Sequence, residues 1–198
     1  SQTLVNMAAI MNHRGPDSYG YCNPADMGIG MSHARLSIID LDENRGRQPF
    51  WLDGGQTMCV HNGEFYEYQR IRTDLIAAGV DFTSKSDSEL LPALFRKFGM
   101  NDTLTRLRGE FAFSLYDEME DTLYLVRDRF GVKPLYWTQT DDAIIYGSEV
   151  KVVLAHPDVK PEIDSEGLFH QLIQVMVPGT TAFKGIQQVE PGHMLKIT

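Results

Sequence analysis

An α+β fold made of antiparallel sheets, with its helices gathered into separate layers, is what the sequence predicts. Three observations carry that expectation. The elements come in blocks (helix, strands, two helices, strands, helices) rather than in strict alternation, and short polar turns join successive strand candidates. The clearest strand pair, Glu110 to Asp117 with Thr122 to Arg127, is apolar on both faces, as a hairpin covered on both sides by other layers should be.

Leu4, Met7, Ala8 and Met11 recur at helical spacing, and Gly15-Pro16 stops the run because proline excludes the helical conformation at the residue before it; a short helix should end near Asn12. From Tyr19 the period becomes two: Met27, Ile29 and Met31 alternate with Gly28, Gly30 and Ser32, and Leu36, Ile38 and Ile39 follow, all read as strand. Asp42 to Gln48 is polar and reads as a loop, and Thr57 to His61 as a strand running into Asn62-Gly63, a turn signal. Tyr68, Ile71, Leu75 and Ala78 make an amphipathic helix that Gly79 ends. Ser86 or Asp87 can cap the next, which carries Leu90, Leu91, Leu94, Phe95 and Phe98. Pro92 inside that run removes a backbone donor unless it lies in the first turn. After the Glu110 hairpin, Pro134 to Gln139 and Ala143 to Gly147 form a second one around Asp141-Asp142. Glu149 to Ala155 reads as a helix, and Ser165 to Gln174 as another, with Leu168, Leu172 and Val175 on one side.

Composition excludes several functions. With 18 Lys+Arg against 27 Asp+Glu in 198 residues the formal charge is −9, so no nucleic-acid partner is expected. No apolar stretch approaches the roughly 20 residues needed to cross a bilayer, so no membrane partner is expected, and the first residues lack the features of a secretory leader, which makes a reducing cytoplasm the expected compartment. Cys22 and Cys59 should be free thiols. His13, Cys22, His33, Cys59 and His61 show no paired zinc-type spacing, so no metal is expected. Gly28-Ile29-Gly30 lacks the rest of a dinucleotide fingerprint, and no Walker loop occurs.

Polar groups at strand ends carry more information. Arg35 follows one strand, Asn62-Gly63-Glu64 another, and Asp87 opens a helix. An arginine fork takes a carboxylate in two parallel bonds. Asp87 and Glu64 could neutralise an ammonium, and an Asn amide with a glycine N–H could face a developing oxyanion. The same residues could instead be a surface ion-pair partner, a hairpin turn and a helix cap. Cys59 and His61 stand two apart on one face of a strand, so a thiol and base pair is a further candidate, beside the ordinary packing use of a buried cysteine.

Seven motifs occur in order: His13 to Asp17 (HRGPD), His33 to Asp40 (HARLSIID), Asn62 to Tyr66 (NGEFY), Ser86 to Glu89 (SDSE), Leu107 to Phe113 (LRGEFAF), Arg127 to Tyr136 (RDRFGVKPLY) and Gly147 to Lys151 (GSEVK). On them the sequence resembles the glutamine amidotransferase (glutaminase) domain of glutamine-hydrolysing asparagine synthetases, over nearly its whole length. The resemblance implies a four-layer αββα sandwich of the N-terminal nucleophile hydrolase type. It implies residues 1–157 as the glutaminase domain and 158–198, ending in FKGIQQVEPGH, as its extension toward an absent synthetase domain. It implies that Arg35 binds the α-carboxylate of glutamine, Glu64 and Asp87 its α-amino group, and backbone at Leu36 and Ile38 lines the pocket, with Asn62 and the Gly63 N–H as the oxyanion hole.

The family's nucleophile is a cysteine at the mature N-terminus that attacks the carboxamide, releases ammonia and leaves a thioester for water to cleave. Here residue 1 is Ser and HRGPD follows a dozen residues later. The nucleophile is therefore expected outside these 198 residues, and the chain alone is expected to be inactive. A non-catalytic glutamine-binding or interaction domain is the alternative. No cofactor is expected in this chain, with ATP and magnesium belonging to the synthetase domain that amidates aspartate. The expected partners are glutamine and that domain, and a homo-oligomer is left open.

Overall fold

The computed structural model describes residues 2–25, 27–39, 46–52, 56–175 and 177–198. In order come α1 (Gln2–Ala9), β1 (Ser18–Cys22), β2 (Met31–Arg35), β3 (Phe50–Leu52), β4 (Thr57–Phe65), α2 (Tyr68–Ala77) and, after a 3-10 turn over Asp87–Glu89, α3 (Leu90–Arg106). Then follow β5 (Gly109–Asp117), β6 (Thr122–Arg127), β7 (Tyr136–Gln139), β8 (Ile144–Gly147), α4 (Val150–Leu154), α5 (Ser165–Leu172), β9 (Gln187–Gln188) and β10 (Met194–Ile197). One five-stranded sheet has the order β10-β6-β5-β4-β3, a second sheet the order β8-β7-β9, and β1 pairs with β2; every pairing is antiparallel.

Period-two alternation builds the layers. Along β5, Phe111, Phe113 and Leu115 face Leu75 of α2 and Leu90, Leu91 and Leu94 of α3. The intervening Ala112 and Tyr116 face a second apolar cluster with Met31 of β2, Trp137 of β7 and Tyr146 of β8. A third cluster joins Met7 and Met11 to Ile145 of β8 and Val152 and Val153 of α4. The result is the αββα sandwich: α2 and α3, the five-stranded sheet, the two smaller sheets, then α1 and α4. Both faces of β5 and β6 are buried, which is why that hairpin is legible as apolar throughout.

Four expectations are corrected. Met27 and Ile29 pack against the inter-sheet cluster from a loop, and the strand begins only at Met31. Leu36, Ile38 and Ile39 lie past the end of β2, because the Ser37 N–H goes to Asp17 Oδ2 (2.7 Å) instead of to a neighbouring strand. Asn62-Gly63 is no turn: β4 runs straight through it to Phe65, paired with β5 throughout. Helix α5, capped by Asp164 Oδ1 accepting the Gly167 N–H (2.7 Å), stops at Leu172, and Leu168, Leu172 and Val175 are exposed rather than buried along one side. The polar loop expected from Asp42 lies outside the described residues as far as Arg45.

Two polar knots brace the sandwich. Arg127 donates to the carbonyls of Lys133 (2.8 Å), Val189 (2.8 Å) and Gly131 (2.7 Å), and the Asp128 carboxylate accepts the N–H groups of Phe130 (3.0 Å), Val132 (3.1 Å) and Lys133 (3.0 Å). That hairpin loop holds Lys133 Nζ 3.5 Å from Glu110 of β5. Glu149 joins the segment after α1 to α4 through His13 (3.0 Å), Arg14 (3.2 Å) and Lys151 (3.0 Å). Partial burial alone would raise the Glu149 carboxyl, but those three partners hold it below its ordinary value. The last residues complete two sheets, β9 pairing with β7 and β10 with β6.

Candidate active site

A cavity of about 600 Å³ opens between the layers, and Arg35, Leu36, Ile38, Asn62, Gly63, Glu64 and Asp87 all line it. It runs between the β2 and β8 edges of the two smaller sheets, bordered by residues 30–36 on one side and 143–148 on the other. Residues from β2, β4 and the 3-10 turn, far apart in sequence, therefore share one space.

Arg35 ends β2 opposite Ser18 and is buried, and its carbonyl accepts the Asp17 N–H (3.1 Å). A Cβ on Gly46 would fall 2.0 Å from Arg35 Nη2, so only glycine leaves room for the guanidinium there. Leu36 and Ile38 form the rim, with Ile38 76% exposed. On β4, Asn62 is half-buried while Gly63 and Glu64 are exposed. Gly63 has φ +138°, and a Cβ there would lie 2.0 Å from the Glu110 carbonyl, so the glycine serves close approach to β5.

Asp87 is buried and held on a rigid turn. Its Oδ2 accepts the Phe65 N–H (2.9 Å), and the neighbouring Glu89 carboxylate accepts four bonds from Thr83 and Ser84 at 2.7 to 2.8 Å. Burial pushes the Asp87 carboxyl above its ordinary value, against the pull of N–H bonds from Phe65 and Ser88. Such a carboxylate gains most from an incoming cation.

The sequence reading missed Gln48 and Ser88 and weighed His61 only as a partner for Cys59. Gln48 and Ser88 carry no motif of their own beyond Gln-Pro before a strand and Ser beside Asp87. Cys59 lies fully buried in the core facing α3, and burial with nearby Glu89 pushes its thiol far above the ordinary range. His61 stacks on Phe65 with ring centroids 4.2 Å apart, and its Nδ1 bonds Ser88 Oγ (2.8 Å). Cys59 and His61 are therefore no nucleophile and base: the thiol is held protonated and the ring is engaged elsewhere.

Three buried nitrogens at the cavity have no hydrogen-bond partner: Asn62 Nδ2, His61 Nε2 and His33 Nδ1. The imidazoles are held neutral. Burial and the neighbouring His61 lower His33 to about 4, and burial and Lys133 lower His61 to about 3. In an unfolded chain both titrate near 6.5, so below that pH the unfolded state takes up more protons and the fold loses stability. This contribution is complete above about pH 6.5 and falls away toward pH 3, with a limiting slope of about 2.7 kcal/mol per pH unit for two sites near pH 5. Asp87, with its raised carboxyl, acts in the opposite sense. Urea midpoints should therefore fall between pH 7 and 4.5, while the His33 and His61 ring resonances of the folded chain stay neutral at pH 5.5. Ring titration near 6.5 would contradict this.

Among the described residues no three His, Cys, Asp or Glu side chains gather as a metal set, and no helix is long and apolar enough to cross a membrane. The arrangement is suited to gripping a small zwitterion by both ends beside a pair of N–H donors.

Comparison with known proteins agrees with this geometry. Asparagine synthetase 3 (glutamine-hydrolyzing) of Bacillus subtilis (strain 168) is 35% identical over 196 residues, 98% of this chain and 31% of that protein. Amidase chry2 of Gibberella zeae is 39% identical over 194 residues, 98% of this chain and 28% of that protein. The chain thus spans under a third of either relative. The solved glutamine phosphoribosylpyrophosphate amidotransferase of B. subtilis, complexed with ADP and GMP, has the same fold, with a TM-score of 0.68 at 18% identity over 99% of this chain and 46% of that one. The model of the glutamine amidotransferase domain family matches residues 1–198. A match that runs the whole length, on the same fold, makes this chain a member of the glutamine amidotransferase domain family.

Proposed function

We propose that this domain hydrolyses glutamine to glutamate and ammonia as the glutaminase part of an asparagine synthetase-like enzyme. The observation that carries the reading is the convergence of Arg35, Asn62, Gly63, Glu64 and Asp87 on one cavity. Arg35 takes the α-carboxylate in a bidentate pair, and Asp87 with Glu64 takes the α-ammonium. The carboxamide then lies toward Asn62, whose buried, unpartnered Nδ2 is the kind of donor that a bound oxyanion would satisfy.

The nucleophile is a cysteine on an extended segment seated between the edges of β2 and β8. Both strands present unused main-chain groups along that slot, and neither Cys59 nor Cys22 lines it. The thiolate attacks the carboxamide carbon, Asn62 and Gly63 N–H stabilise the oxyanion, the amine leaves as ammonia once protonated, and water cleaves the thioester to glutamate. ATP and magnesium fit no donor set or phosphate loop of this chain and belong to a synthetase domain that amidates aspartate. No step here is routed through them.

The test is production of glutamate and ammonia from glutamine by the full-length protein, with asparagine formed when aspartate and ATP are added. The 198 residues alone should release no ammonia. Full-length protein that binds glutamine without hydrolysing it would leave a glutamine-binding module, and protein that does neither would refute the site.

A further inference from the structure

Strand β3 covers β4 only from Phe50 opposite Cys59 to Leu52 opposite Thr57. From Val60 to Phe65 β4 continues with β5 on one side and no strand on the other. Gln48, two residues before β3, takes that place at His61. The His61 N–H donates to Gln48 Oε1 (2.6 Å), Gln48 Nε2 donates to the His61 carbonyl (3.1 Å), and the same Nε2 reaches Ser88 Oγ (3.4 Å). A side-chain carboxamide here stands in for the peptide group of an absent strand. Four residues on, the Phe65 N–H is taken by Asp87 on the same side.

Alternate residues of an antiparallel strand turn their N–H and C=O groups to the same side. The Gly63 N–H therefore lies on this open side, between the Gln48 clamp at His61 and the Asp87 clamp at Phe65. Its direction is set by these two fixed points. Gln48 is itself buried, and its main chain is pressed onto β1: a Cβ on Gly20 would fall 1.7 Å from the Gln48 carbonyl. Through Ser88 Oγ, which also bonds His61 Nδ1, the same carboxamide is tied to the turn that carries Asp87.

We propose that Gln48 is a positioning residue for the oxyanion corner of this site, holding the Gly63 N–H in register with Asp87; the inference rests on the glutaminase reading above. Its carboxamide is spent on His61 and Ser88, so it acts through them. Removing it leaves the two buried main-chain groups of His61 unpaired and lets the strand turn about its axis where alignment matters most.

The experiment compares full-length wild type with Gln48→Ala and Gln48→Glu. Misalignment of one oxyanion donor should lower kcat for glutamine by about 10- to 100-fold while KM stays within about threefold, because the groups that grip the zwitterion remain. Gln48→Glu keeps the acceptor for the His61 N–H but loses the donor to its carbonyl. Protonation of the new carboxyl restores that donor, so its rate relative to wild type should rise as the pH is lowered, while Gln48→Ala shows no such recovery. Thermal midpoints of both variants are read alongside. Unchanged kcat in both variants would overturn the proposal, as would equal losses in kcat, KM and midpoint without recovery of Gln48→Glu at low pH. A wild-type protein without glutaminase activity would instead overturn the functional reading, and it would do so before any variant is compared.

Discussion

Arg35→Ala is expected to lower kcat/KM for glutamine by about 10²- to 10³-fold, mainly through KM, because truncating one partner of a buried charge pair typically costs 2 to 5 kcal/mol. The guanidinium is buried at the end of β2, with Gly46 cleared to admit it, and it lines the cavity shared by Glu64 and Asp87. Without it those two carboxylates remain to hold the ammonium, and nothing in the proposed roles answers the ligand's own carboxylate. Arg35→Lys should recover little of the loss, since an ammonium is a point charge and cannot present two parallel donors. Steady-state kinetics of the full-length protein, with glutamine-dependent thermal stabilisation as a second readout, decide the matter. A change in KM below threefold would mean that the carboxylate is held elsewhere.

Gly63→Ala should damage both the fold and the reaction. The new methyl group would sit 2.0 Å from the Glu110 carbonyl and 2.8 Å from Phe111 Cα, both main-chain atoms of a paired strand that cannot swing aside. The backbone at φ +138° is also one that side chains with a Cβ rarely adopt. Overpacking and strain together should remove about 2 to 5 kcal/mol of stability. Relief of the clash displaces β4 at the residue whose N–H is assigned to the oxyanion, so kcat should fall about 10²- to 10³-fold even where the variant is folded. Chemical denaturation of the purified domain measures the first effect and single-turnover hydrolysis the second. A stable variant with wild-type turnover would place the oxyanion donors at other residues.

Most of the fold was legible because local periodicity reports burial directly. The β5–β6 hairpin reads as apolar on both faces since two different cores claim its alternate residues, Phe113 for the helices and Ala112 for the second sheet. The errors fall where one residue type serves two geometries. Asn62-Gly63 looks like a turn because glycine supplies positive φ to turns, yet here the same freedom lets two strands approach more closely than any side chain would permit. Leu36 and Ile38 look like strand because they are apolar, but they line the rim of a cavity.

The amino-acid sequence alone determined the order of helices and strands, the buried hairpin, and the set of polar residues worth asking about. Those follow from interactions within a few residues of chain. Only the tertiary structure decided that Arg35, Asn62, Gly63, Glu64 and Asp87 face one cavity, that Cys59 is shut away from it, and that Gln48 stands in for a missing strand at His61. These depend on which distant segments pack together, and no short-range pattern encodes the distance between a carboxamide on one side of a sheet edge and the strand it completes.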